Sequence, residues 1–155
     1  MSYEAGLLEN VEPPCWRVAP IDFTKFLRHL PTLTPDNCVL CLEGVIDPAI
    51  ESSLKKRQAA NYENETKQGF LKLRAKIFYM PITEENIQGL ADLSDGYAEP
   101  EVCSHLRVYW KRKVILSWHD LPTDPLYVLS ELDESALQKF CEVLGCKYEF
   151  DYAEN

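Results

Sequence analysis

The segment SHLRVYWKRKVILSWHD holds the residues best suited to chemistry, two histidines near the ends of two apolar runs. If it folds as a hairpin with a three-residue loop at Lys111-Arg112-Lys113, His105 stands directly opposite His119, with β-carbons about 5 Å apart. Two imidazoles at that spacing can ligate a metal, hold a phosphate or exchange protons near neutral pH. Arg107 would add a planar cation that pairs with carboxylate or phosphate. Tyr109 would add a stacking or hydrogen-bonding group. A metal would need a third ligand that spacing does not dictate, and no metal or other cofactor is expected. Two-histidine phosphoesterases pair two His-x-Ser/Thr motifs, whereas Arg107 and Leu121 stand at the matching positions here. The competing reading is a pair of solvated imidazoles at a sheet edge.

Other constellations weaken on inspection. Cys38-x-x-Cys41 has zinc-like spacing, but it lies in CVLCLEGV with no turn residue between the cysteines. A three-residue offset in a strand points two side chains to opposite faces. Cys15, Cys38, Cys41, Cys103, Cys141 and Cys146 are therefore expected as reduced thiols, several of them in the core. Lys72, Arg74, Lys76 and Phe78, with Arg107 and Tyr109, outline an open-sheet RNA surface. Glu149 and Asp151 are expected beside that basic row as neutralising neighbours. The six glycines form neither a dinucleotide fingerprint nor a phosphate loop, and no nucleophile elbow occurs.

Charge offers a different kind of lead. The chain carries a formal −9, which argues against general nucleic-acid binding. Residues 114–155 hold Lys139 and Lys147 against nine acids, while residues 67–113 hold eight bases and six acids. Clustered carboxylates speed docking to a basic partner protein. Asp120, Asp124, Glu131, Asp133 and Glu134 are the candidate partner-binding residues. In size and charge, though in no motif, the chain resembles bacterial immunity proteins. That likeness implies an inhibitor working by protein–protein contact. The alternative is an enzyme or anion-binding domain using His105, His119, Arg107 and Tyr109. No run is long and apolar enough for a membrane span and no leader pattern opens the chain, so a cytoplasmic protein is expected.

These residues must be held by elements legible in the pattern. Residues 1–14 read as a flexible arm and 15–155 as one α+β domain. Cys15–Val18 reads as a short strand. Asp22 caps a helix through Phe23, Phe26, Leu27 and Leu30 that Pro31 stops. Asn37–Ile46 reads as a strand buried on both faces, and Asp47-Pro48 opens a second helix to about Arg57. Residues 59–69 read as loop. In the next strand Leu71, Leu73, Ala75, Ile77 and Tyr79 face the core and Lys72, Arg74, Lys76 and Phe78 face away. Thr83 caps a helix over Ile87, Leu90 and Ala91, and residues 95–104 read as loop.

The hairpin then buries Leu106, Val108, Trp110, Val114, Leu116 and Trp118 on one face. Tyr127–Leu129 is a short strand. Asp133 caps a helix over Ala136, Leu137, Phe140, Cys141 and Leu144 that Gly145 ends, and Cys146–Tyr152 is the last strand. From about residue 71 the order βαββαβ predicts a ferredoxin-like arrangement, preceded by a β-α-β-α unit. The sheet is expected to be mostly antiparallel, with helices on one face.

Overall fold

The protein is described from a computed structural model covering residues 10–19, 21–60, 62, 65–68, 74–121 and 123–152. It is α+β. Among the described residues eight strands form one sheet: β1 (Cys15–Val18), β2 (Val39–Gly44), β3 (Glu65–Gln68), β4 (Arg74–Pro81), β5 (His105–Trp110), β6 (Lys113–Trp118), β7 (Leu126–Leu129) and β8 (Tyr148–Asp151). The helices among the described residues are α1 (Phe23–Leu33), α2 (Pro48–Lys55), α3 (Glu84–Ser94), the single turn α4 (Glu99–Val102) and α5 (Glu134–Leu144).

The expected caps start four of these helices. The side chains of Asp22, Asp47, Thr83 and Asp133 each accept a first-turn amide, satisfying donors that the helix itself cannot. Gly145 ends α5 at φ 69°, a left-handed conformation that glycine adopts without a β-carbon penalty. Pro31 does not stop α1, which runs on to Leu33. A proline in the last turn forfeits one hydrogen bond, and the extra turn buries Leu33 in the core. The expected loops hold two short elements, β3 within residues 59–69 and α4 within 95–104.

The strand order is β3-β4-β2-β5-β6-β7-β1-β8, and every pairing is antiparallel. This is not the ferredoxin-like order, which would seat the last strand beside β4. Instead β8 pairs with β1 at the far end of the sheet, through Arg17↔Glu149 and Trp16↔Phe150. The physical reason lies in β1. Cys15 and Val18 are both fully buried although they point to opposite faces, so β1 needs cover on both faces and neighbours on both edges. β7 and β8 supply those edges. β2 likewise enters between β4 and β5.

One face of the sheet packs against the helices. Leu40, Leu42, Phe78, Met80, Leu106, Val108, Leu116, Trp118, Leu126 and Val128 join Phe26, Leu30, Ile50, Leu54, Ile87, Leu90, Leu137 and Phe140 in one core. On the outer face Cys41, Ile77, Tyr79, Tyr109 and Ala59 form a second cluster, with Val39, Tyr62 and Val114 against it. β4 thus reverses the expected facing. Phe78 and Met80 point to the helices, and Ile77 and Tyr79 point away. Lys76 accordingly reaches Glu51 on α2, not an acid on β8. The alternation holds, but a strand apolar on both sides at residues 77–80 does not say which side is which.

Candidate functional site

The hairpin of β5 and β6 sets the site. Its turn has two residues, Lys111 and Arg112, both at positive φ (50° and 63°), with Trp110 paired to Lys113. That twist suits the right-handed twist of paired strands. The register then shifts between Val108 and Tyr109, so that Val108 pairs with Leu116 and Leu106 with Trp118. Ile115 is the extra residue of a β-bulge. The bulge restores, below the turn, the register that a three-residue loop would have given. Val114, expected on the core face, goes to the outer cluster instead, and Trp110 lies only partly buried against the main core.

His105 and His119 therefore meet. Their rings stack with centroids 4.0 Å apart and planes 5° from parallel. Asp120 follows at φ 47° and turns its backbone N–H onto Nδ1 of His105, at 3.0 Å. Its carboxylate lies 3.8 Å from His105 Nδ1 and 3.6 Å from His119 Nε2. Burial, followed by the field of His119, holds the His105 pKa below the ordinary histidine value, against the upward pull of Glu43 and Asp120; Arg107 adds to the depression. An imidazole that accepts an N–H at Nδ1 is neutral there and carries its proton on Nε2.

One ligand atom from each of His105, His119 and Asp120 falls within 4.8 Å of the others, yet the arrangement is not that of a ready metal centre. A metal sits about 2.0–2.1 Å from each nitrogen along converging lone pairs. Stacked parallel rings direct their lone pairs along lines that never meet, and the His105 Nδ1 lone pair already holds Asp120 N–H. As it stands, His105 clamps the turn between β6 and β7.

Arg107 and Tyr109 lie further along the same face, but they are closed off. Arg107 is 6% exposed. It donates to Glu43 Oε1 at 3.0 Å and to Asn10 Oδ1 at 3.2 Å. Val11 docks beside it, its N–H donating to Ser117 Oγ at 3.0 Å. Asn10 and Val11, expected within the loose arm, are thus seated on the sheet; residues 1–9 lie outside the described residues. Tyr109 is fully buried among Cys41, Tyr79 and Tyr62, and its hydroxyl has no partner among the described residues. Of the four residues proposed for chemistry, His119 is exposed, His105 is partly buried, and Arg107 and Tyr109 are buried. Glu43 and Asn10 were not anticipated. The available signal was an acid inside the apolar run CVLCLEGV, since a strand buried on both faces must supply such a residue with a cation.

The acids proposed for partner binding fall into two groups. Asp120 and Asp124 share the connection from β6 to β7, where Asp124 N–H reaches Asp120 O at 3.3 Å. Glu131, Asp133 and Glu134 lie at the other end of β7, about 13 Å away for a four-residue strand. Several also have local work. Glu131 pairs with Lys113 at 3.3 Å, the Asp133 carboxylate accepts the Ser135 amide, and Glu134 accepts from the Tyr148 hydroxyl at 3.3 Å. A third exposed acidic region is α3, with Glu84, Glu85 and Asp92, followed by Asp95. There Arg28 reaches Asp92 and Asp95 at 2.9 and 3.0 Å.

All six cysteines are free thiols. Cys38 and Cys41 fall into the two different core clusters, on opposite faces of the sheet. The basic row splits in the same way: Lys76 faces the helices, Arg107 faces away, and Lys72 lies outside the described residues. Among the described residues no helix is long and apolar enough to cross a membrane. In comparisons with known proteins, no family model, no curated protein and no solved structure matches the chain.

Proposed function

We propose that the chain is a small acidic cytoplasmic protein that binds, and thereby inhibits, a partner protein with a basic surface. The observation that carries this reading is the contrast between two sets of side chains. The groups that could have built a reactive centre are used internally: His105 holds a backbone amide, and Arg107 holds Glu43 and Asn10. The carboxylates of Asp120, Glu131, Asp133 and Glu134 and those along α3, by contrast, are exposed even where they also cap a helix or pair with Lys113 or Arg28, and there long-range attraction acts on an approaching partner. Six free thiols accord with a reducing compartment.

The test is affinity capture at low salt from cells that make the protein, followed by calorimetry with the captured partner at two ionic strengths. A docking surface of this kind loses affinity as salt rises, because exposed charges are screened over about 8–10 Å. Substituting Asp120→Asn, Asp124→Asn, Glu131→Gln and Glu134→Gln together should slow association, while Asp133 is kept to cap α5. An affinity that ignores both salt and these four substitutions would refute the proposal.

A second reading places proton transfer or anion binding on the hairpin. Its support is the approach of His105, His119 and Asp120, with His119 half exposed. It must proceed without Arg107 and Tyr109. Titrating the two imidazoles by NMR with and without phosphate or Zn²⁺ tests it, and unchanged titration curves would remove it.

A further inference from the structure

The C-terminal end of α5 brings two cysteines together by a backbone device. Gly145 N–H bonds to Glu142 O at 3.3 Å, and Cys146 N–H bonds to Cys141 O at 3.0 Å. These are the paired bonds of a Schellman motif, closed by the left-handed Gly145. The motif characteristically brings the side chain after the glycine onto the one five residues earlier, and that contact is usually between two apolar residues. Here both positions are cysteine. Both line a surface cavity of about 360 Å³ with Gln138, Glu142, Lys147 and Tyr148. Cys141 is buried, while Cys146 is partly exposed.

We propose that Cys141 and Cys146 form an oxidisable dithiol, closing to an intrachain disulfide when a peroxide or a small-molecule disulfide enters this cavity. Cys146 is the attacking sulfur, since it is the more exposed of the two. With hydrogen peroxide, the Cys146 thiolate takes one oxygen to become a sulfenic acid, and hydroxide leaves. The Cys141 sulfur then attacks the Cys146 sulfur, the S–S bond forms, and the sulfenic oxygen leaves as water with the Cys141 proton. Overall, two thiols and one peroxide give one disulfide and two waters. With oxidised glutathione, Cys146 first forms a mixed disulfide and Cys141 displaces glutathione thiol from it.

Burial raises both thiols above the ordinary cysteine value, Cys141 to about 12, and the neighbouring Cys141 offsets this only in part at Cys146. Oxidation should therefore be slow at pH 7 and accelerate as the pH rises toward 9. The short loop, with only four residues between the cysteines, makes the disulfide a local lock between α5 and β8.

The test uses the intact chain. It is treated with hydrogen peroxide or oxidised glutathione, its remaining thiols are blocked, and it is digested without reduction. The expected product has lost two hydrogens, retains four free thiols out of six, and yields one peptide linked through Cys141 and Cys146. Cys146→Ser should abolish the reaction. Cys141→Ser should halt it at a stable sulfenic acid or glutathione adduct on Cys146, which also shows that this variant is folded and reactive. A disulfide joining other cysteines, or glutathione retained on Cys146 of the unsubstituted chain, would overturn the proposal. So would all six thiols surviving at pH 8.5 while the chain remains folded.

Discussion

Replacing Arg107 with methionine tests whether the outer face is closed. The guanidinium and the Glu43 carboxylate lie 3.0 Å apart, with side chains only 7% and 17% exposed. Arg107→Met leaves Glu43 in place with its partner gone. Breaking a buried pair in this way costs about 3–5 kcal/mol, because one charge is stranded. Residual exposure of Glu43 puts the cost at the lower end, and losing the Asn10 contact adds about 1 kcal/mol. The expected total is about 3–4 kcal/mol. For a chain of this size, that lowers the melting temperature by roughly 6–15 °C.

Replacing both partners by apolar residues removes the stranded charge. Arg107→Met with Glu43→Met should therefore lie within about 1 kcal/mol of the unsubstituted chain, far below the sum of the two single costs in the double-mutant cycle. Urea unfolding followed by tryptophan fluorescence measures all four proteins, and equal slopes confirm that their unfolded states are comparable. A cost below about 1 kcal/mol for Arg107→Met would mean a solvated pair and refute the closed outer face. A double variant less stable than either single variant would refute the electrostatic argument. An anion clamp behaves differently: phosphate would stabilise the unsubstituted chain and not Arg107→Met.

Three further outcomes follow from the same geometry. Because His105 is held below its unfolded value of about 6.5 by burial and by His119, the unfolded chain binds a proton that the folded chain resists. Stability should then fall as the pH drops below about 6.5, and urea midpoints from pH 7.5 to 5 should show a shallower fall in His105→Gln. Gly44→Ala sets a β-carbon 2.8 Å from the Ser104 backbone nitrogen and should cost about 1–3 kcal/mol, whereas Gly96→Ala meets nothing and should be neutral or stabilising by up to about 0.5 kcal/mol. Trp118→Ala removes a fully buried ring and its bond to the Asp124 carbonyl; a loss of about 3–5 kcal/mol in the same urea assay is expected, and a loss below 1 kcal/mol would contradict its place in the core.

Local order was legible because local order is built from neighbours in the chain. Asp22, Asp47, Thr83, Asp133 and Gly145 announced helix ends through side-chain or backbone chemistry that acts within a turn. Although Val114 and Ile115 next to the bulge take the faces opposite to those expected, alternation in β5 and in β6 from Leu116 onward told which residues share a face, and so placed His105 against His119. It did so even though the turn itself is one residue shorter, because the bulge at Ile115 repays the difference before Val108.

Tertiary structure decided everything that depends on which distant surfaces meet. No local signal tells β1 to enter between β7 and β8, or turns Phe78 rather than Tyr79 toward the helices. Both follow from burying the most apolar area once all the strands are present. The same holds for function. Arg107 looked like a ligand clamp until Glu43, sixty-four residues earlier in the chain, took its charge. The five acids look contiguous in sequence but stand at opposite ends of β7. A side chain's type is set by its codon, whereas its availability is set by whatever the fold packs against it.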